Sequence, residues 1–75
     1  MTARHDSRLR VGIIGVGRVG SALGRALQNA GHAVVAVHAV SEQSQSRAQQ
    51  FFPATDISSI EKVVSDSDLV LFAIP

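Results

Sequence analysis

The chain has 75 residues, no cysteine and a formal net charge of +1. That length allows one small domain, which buries only about 60% of the surface its unfolded chain exposes. It excludes disulfides and thiolate zinc sites, and the small charge gives no electrostatic reason for a nucleic-acid or membrane partner.

Residues 1–8 are polar with no apolar segment behind them, so they read as a disordered N-terminal tail rather than a targeting signal. Residues 9–75 read as one domain. Leu9 to Ile14 is short, rich in branched residues and ended by glycine, which predicts a buried strand. Gly15-Val16-Gly17-Arg18-Val19-Gly20 follows at once, with the spacing G-x-G-x-x-G. A helix is expected from Arg18 to Ala30. Its apolar positions Val19, Ala22, Leu23, Ala26, Leu27 and Ala30 form the stripe of a helix laid on a sheet. Gly31 suits a left-handed C-cap.

Ala33 to Val37 is apolar on both faces, as in a parallel sheet covered from each side. A second helix is expected over Glu42 to Phe52, with Ser41 as N-cap, Ala48, Phe51 and Phe52 inward, and Pro53 as its stop. Ala54 to Ile57 reads as a short edge strand. Ser58-Ser59-Ile60-Glu61 has the S-x-x-E spacing of a capping box, opening a helix with Ile60, Val63 and Val64 inward. Leu69 to Ile74 completes the pattern as a fully buried strand, too short to span a bilayer.

The order β-α-β-α-(β)-α-β predicts an α/β Rossmann-type doubly wound parallel sheet, of which this is the first half (β-α-β-α-β). In the strand order 3-2-1-4-5-6 the last strand needs a neighbour. Left bare, it would be a hydrophobic edge prone to aggregation. The expectation is therefore a larger protein, or pairing at this edge.

Each glycine of the loop has a role in a dinucleotide site. Gly15 permits the tight turn, Gly17 lets a pyrophosphate approach the backbone, and Gly20 brings helix and strand together. Gly24, one turn on, serves the same close packing. The N–H groups around Arg18, Val19 and Gly20 then face the phosphates at a helix N-terminus. The first forty residues carry five arginines against one aspartate, which suits a phosphate ligand. The Arg18 side chain is a phosphate ligand or an ordinary exposed arginine. A Walker A loop is disfavoured, because no Gly-Lys-Ser/Thr occurs.

An acid at the end of the second strand would accept from the 2′-OH of NAD. Here the zone reads Val37-His38-Ala39-Val40-Ser41-Glu42. Without a carboxylate to repel a 2′-phosphate, and with Ser41 and His38 able to donate, NADP is preferred over NAD. Arg47 lies a turn or more into the next helix, too far away by sequence. Taken alone, His38 reads better as a partly buried histidine ending a strand.

The runs Leu9 to Gly20, Ala30-Gly31-His32 and Leu69 to Pro75 resemble the N-terminal domain of the 6-phosphogluconate dehydrogenase-like reductases. That group includes pyrroline-5-carboxylate reductase, β-hydroxyacid dehydrogenases, ketopantoate reductases and deazaflavin-dependent NADP oxidoreductases. Ala36 to Ser41, followed by Arg47-Ala48, is similar to an actinobacterial-type Rossmann-like subgroup with a C-terminal helical domain. The resemblance implies an NAD(P)-dependent reductase moving hydride to a small metabolite, with a ketopantoate-like keto acid as substrate. It places Ala73, Ile74 and Pro75 beside the cofactor, and implies a homo-oligomer joined through the C-terminal domain. Ala39 and Val40 stand where NADP-specific relatives often carry arginine.

No catalytic residue is identified: Asp66 and Asp68 read as a solvated cap, and Ser58 and Ser59 as helix caps. No metal-ligand spacing occurs. A cytoplasmic location is the default. The alternatives are a non-catalytic nucleotide-sensing domain and, less favoured, an S-adenosylmethionine-binding domain, since Ile13-Ile14 replace the acid expected before the first glycine.

Overall fold

The structure, a computed structural model, describes residues 8–73. The expected tail at 1–7 and the site residues Ile74 and Pro75 lie outside the described residues. The element order is β1 (Arg10–Ile14), α1 (Arg18–Asn29), β2 (Ala33–His38), α2 (Glu42–Phe51), α3 (Ile60–Asp66) and β3 (Leu69–Phe72). The strands form one parallel sheet in the order β2-β1-β3. This is a Rossmann-like arrangement, consistent with the first part of a doubly wound sheet.

Alternate residues of β1 face opposite layers, as the pleat requires. Val11 and Ile13 point to the side of α1 and α2, in a core with Val16, Val37, Ala48 and Phe52. Ile14 points to the other side, with Ala36 and with Val63 of α3. Gly12 faces α3 so closely that a Cβ there would collide with Ser67 and Val63. The sheet is thus sandwiched between two helices and one. β2 carries an extra residue, Val35, where its register with β1 shifts between Val11 and Gly12.

Several expectations need correction. Of the apolar stripe of α1, only Leu27 packs against the core. Gly20, Ser21 and Gly24 are its buried residues, whereas Val19 and Leu23 are 65% and 47% exposed. Close packing of helix on sheet selects residues with almost no side chain, and the apolar flank is left at the side. The segment Ala54 to Ile57 makes only an isolated bridge, Ile57 with Val37. Around it, Thr55 Oγ1 donates to the Val34 carbonyl at 2.9 Å and Ser58 N–H to the Val37 carbonyl at 2.7 Å. A side chain thereby takes over part of a strand ladder.

The cap of α3 is Ser59 rather than Ser58; its hydroxyl accepts from Lys62 N–H at 3.2 Å. In that frame only Val63 turns inward, and Ile60 and Val64 are exposed. β3 is not fully buried either: Leu69 and Phe72 are exposed because the strand lies at the sheet edge. Ser41 caps α2 as expected, accepting from Ser44 N–H at 3.1 Å.

Candidate functional site

A cleft of about 580 Å³ opens at the carboxyl ends of the three strands. Its floor is Ile14, Gly15 and Gly17 from the first β-α turn. One wall is His38, Val40, Ser41, Ser44 and Arg47, and the other is Ile60 and Ala73. This is where strand order reverses, between β1 and β3, and in open α/β sheets such a crevice is the usual ligand site.

The turn is built by backbone. Gly15 has φ +87°, a left-handed conformation that a side chain would strain. Its N–H donates to the His38 carbonyl at 2.9 Å, tying the ends of β1 and β2 together. Gly20 needs its missing Cβ for packing, since one would stand 2.8 Å from the Ala73 Cβ and 3.0 Å from the Gly15 carbonyl oxygen. Gly17 is different. Its backbone is extended, with φ −100° and ψ −165°, which any residue can adopt. A Cβ on it would meet only the Ala73 carbonyl oxygen, at 3.8 Å. Neither torsion nor packing requires glycine there, so the open space above it is available to a ligand.

The first turn of α1 is also electrically bare. No side chain caps it at Gly17, and no acidic residue stands in it. By contrast α2 and α3 each have a serine cap and a glutamate in the first turn. The N–H groups at Arg18, Val19 and Gly20 have no intrahelical acceptors. Together with the helix dipole they attract an anion, worth about 0.3–1 kcal/mol for the dipole alone.

Around the end of β2, His38 Nδ1 lies 2.9 Å from the Ser58 carbonyl. A carbonyl only accepts, so Nδ1 carries a proton and is spent on this bond, which leaves Nε2 for a ligand. Ser41 Oγ donates to Ser44 Oγ at 2.9 Å while accepting from Ser44 N–H. The donor that the sequence assigned to Ser41 is therefore spent, and the hydroxyl proton of Ser44 remains for a ligand. Gln45 fixes the turn by donating to the Ala39 and Val40 carbonyls at 3.2 and 3.3 Å.

Arg47 is the residue that sequence reasoning placed too far away. The return of α2 brings its Nη1 to 3.4 Å from the Val16 carbonyl, where it donates, and Arg47 lines the cleft. The signal was its position six residues after the Ser41 cap; only the helix–turn geometry shows that it reaches back. Of the other expected site residues, Val16 is fully buried in the core and contributes backbone alone. Arg18 lines a separate groove between α1 and α2. The Val19 side chain faces outward.

The cleft wall contains no carboxylate. The nearest charged pair along β1, Arg10–Asp68 at 3.5 Å, is at the opposite end of the strands. Asp68 is held below the usual carboxylate range by the Arg10 backbone N–H, and then by its guanidinium. Among the described residues no cluster of three His, Asp or Glu could hold a metal, and no helix is long and apolar enough to cross a membrane.

With this geometry in hand, the chain is similar over residues 2–75 to a family model described as a Rossmann-like domain. It is 35% identical over 77 aligned positions to Glycerol-3-phosphate dehydrogenase (NAD(P)+) 2 of Lactobacillus delbrueckii subsp. bulgaricus. The alignment covers 88% of this chain and 23% of that relative, so the chain spans about a quarter of the relative's length. No solved structure gives a significant match. Neither likeness singles out the actinobacterial-type subgroup. A sheet with this topology, a glycine turn at its switch point and a family match across nearly the whole sequence place the chain in the Rossmann-like domain family.

Proposed function

We propose that this chain is the adenine–pyrophosphate-binding part of an NAD(P)-dependent oxidoreductase, with NADP as its cofactor. The observation that carries the reading is Gly17, a glycine whose backbone and neighbours do not need one. The pyrophosphate would lie over Gly17 against the N–H groups of the first turn of α1. His38, Ser44 and Arg47 would surround the adenosine ribose, and the exposed apolar side chains of Val40 and Ile60 would flank the adenine.

The preference for NADP is supported by the carboxylate-free wall and by Arg47. An aspartate would repel a 2′-phosphate; a guanidinium pairs with it through directed N–H bonds. The relative's name gives NAD(P)+, which fits either cofactor.

The bound nicotinamide supplies the hydride chemistry, and the protein's part is position and electrostatics. The β1–α1 turn holds the diphosphate, and Ala73 borders the cleft on the side of β3. Catalytic residues are not assigned to this segment. The reaction we propose is hydride transfer to or from a small metabolite, of the ketopantoate-like keto-acid class that the resemblance implies, in a cytoplasmic homo-oligomer.

Calorimetric titration with NADPH and NADH tests the cofactor reading. NADPH should bind more tightly, and Gly17→Val should abolish binding of both while the protein stays folded. Unchanged affinity in Gly17→Val would remove the pyrophosphate site, and a clear NADH preference would remove the NADP assignment.

A further inference from the structure

We propose that the groove between α1 and α2 is a second anion site, separate from the cofactor cleft, for a small ligand carrying more than one phosphoryl group. The groove encloses about 570 Å³ and is lined by Arg18, Ser21 and Arg25 of α1 and by Arg47, Gln50 and Phe51 of α2. Three arginines line one space, and no acidic residue lines it. The ion pairs among the described residues are Arg10–Asp68 and Lys62–Asp66, so none of the three arginines is paired there. The sequence of α1, RVGSALGRALQN, contains no acid to balance them. Glu42 lines only the adjoining hollow beside Arg47 and Gln50; like charges brought together with so little counter-charge repel, and a bound anion relieves that repulsion.

The arginines are also arranged for recognition. Arg25 lies over the Phe51 ring, 5.8 Å from its centroid. A guanidinium held over a ring face at cation–π distance spends none of its N–H donors on the contact. Arg47 spends a single donor on the Val16 carbonyl and keeps the others. Arg18 and Arg25 are seven residues apart, two turns or roughly 10 Å along one face of the helix. Guanidinium forks match phosphoryl oxygens in pairs, and a ligand with two such groups serves anchors this far apart better than one.

This site does not rest on the cofactor reading; the two share the side chain of Arg47 and, through its backbone N–H alone, Arg18. The test is calorimetric titration of the full chain with inorganic pyrophosphate at low ionic strength. In the Gly17→Val background, where the glycine cradle is filled, pyrophosphate should still bind at one site per chain. Adding Arg25→Gln should weaken it about tenfold, with Arg25→Lys in between. Citrate, a carboxylate polyanion, should bind about tenfold more weakly than pyrophosphate. Arg25→Gln alone should leave NADPH affinity unchanged, so failure here is distinguishable from failure of the cofactor reading. If Gly17→Val proves unfolded, the wild type and Arg25→Gln, each compared for pyrophosphate directly, carry the test. The site is overturned if Arg25→Gln leaves pyrophosphate binding unchanged, or if Gly17→Val alone removes it. Equal binding of citrate would overturn the phosphoryl class.

Discussion

Gly17 and Gly24 are seven residues apart and are glycine for opposite reasons. At Gly24 the fold occupies the space a side chain would need: a Cβ would stand 2.5 Å from Phe52 Cζ and 2.8 Å from Ile13 Cδ1. At Gly17 the fold leaves that space open. Packing glycines hold the helix against the sheet, and a glycine without packing neighbours leaves room for something the chain does not itself provide. The same residue type in one short stretch of chain thus marks both stability and binding, and only the surroundings tell them apart.

The same substitution at both positions gives the sharpest contrast. Gly24→Val should destabilise the domain by about 3 kcal/mol, because Phe52 is almost fully buried and cannot move aside. Denaturant unfolding measures this, and a loss under about 0.5 kcal/mol would break the comparison. Gly17→Val should shift the same midpoint by less than about 0.5 kcal/mol while removing dinucleotide affinity. A smaller effect should come from Arg47→Gln, which lowers NADPH affinity about tenfold and NADH affinity little. Equal losses for both cofactors would mean that Arg47 acts only through its hold on Val16.

The smallest effect serves as a remote control. Asp68 has a lowered carboxyl pKa in the folded state because Arg10 N–H donates to its Oδ2 at 2.9 Å. A lowered folded value means stability that is present above the ordinary aspartate value of about 3.9 and lost as pH falls through the folded one. Asp68→Asn should flatten the acid limb of a stability–pH curve and leave cofactor affinity untouched. An unaltered acid limb would show that this exposed pair contributes nothing.

Much of this was legible in the sequence. The strand–glycine–helix junction at Ile14 to Arg18, the Ser41 cap and the parallel sheet are local patterns with local causes. The face of α1 was not, although Gly20 and Gly24 already pointed to close packing. Periodicity weighs large apolar side chains, and here the tightest contact is made where side chains are absent. The cap of α3 slipped by one residue because Ser58 and Ser59 satisfy similar patterns; Ser58 N–H is drawn instead to the Val37 carbonyl. Arg47 reads as too distant and Ser44 gives no signal as a site residue, because both reach the cleft through the turn from β2 into α2, a path that spacing alone does not reveal. The exposure of β3 follows from its place at an edge, which depends on the whole topology.

The two flanks of the sheet have unequal futures. Along β2, the segment from Thr55 to Ser58 has already taken the available backbone partners and closes that side. Along β3, among the described residues, the outward peptide groups have no strand beside them, and Phe72 is 68% exposed. Lateral growth of this sheet is therefore directional: a newcomer strand finds a template on one flank and a barrier on the other.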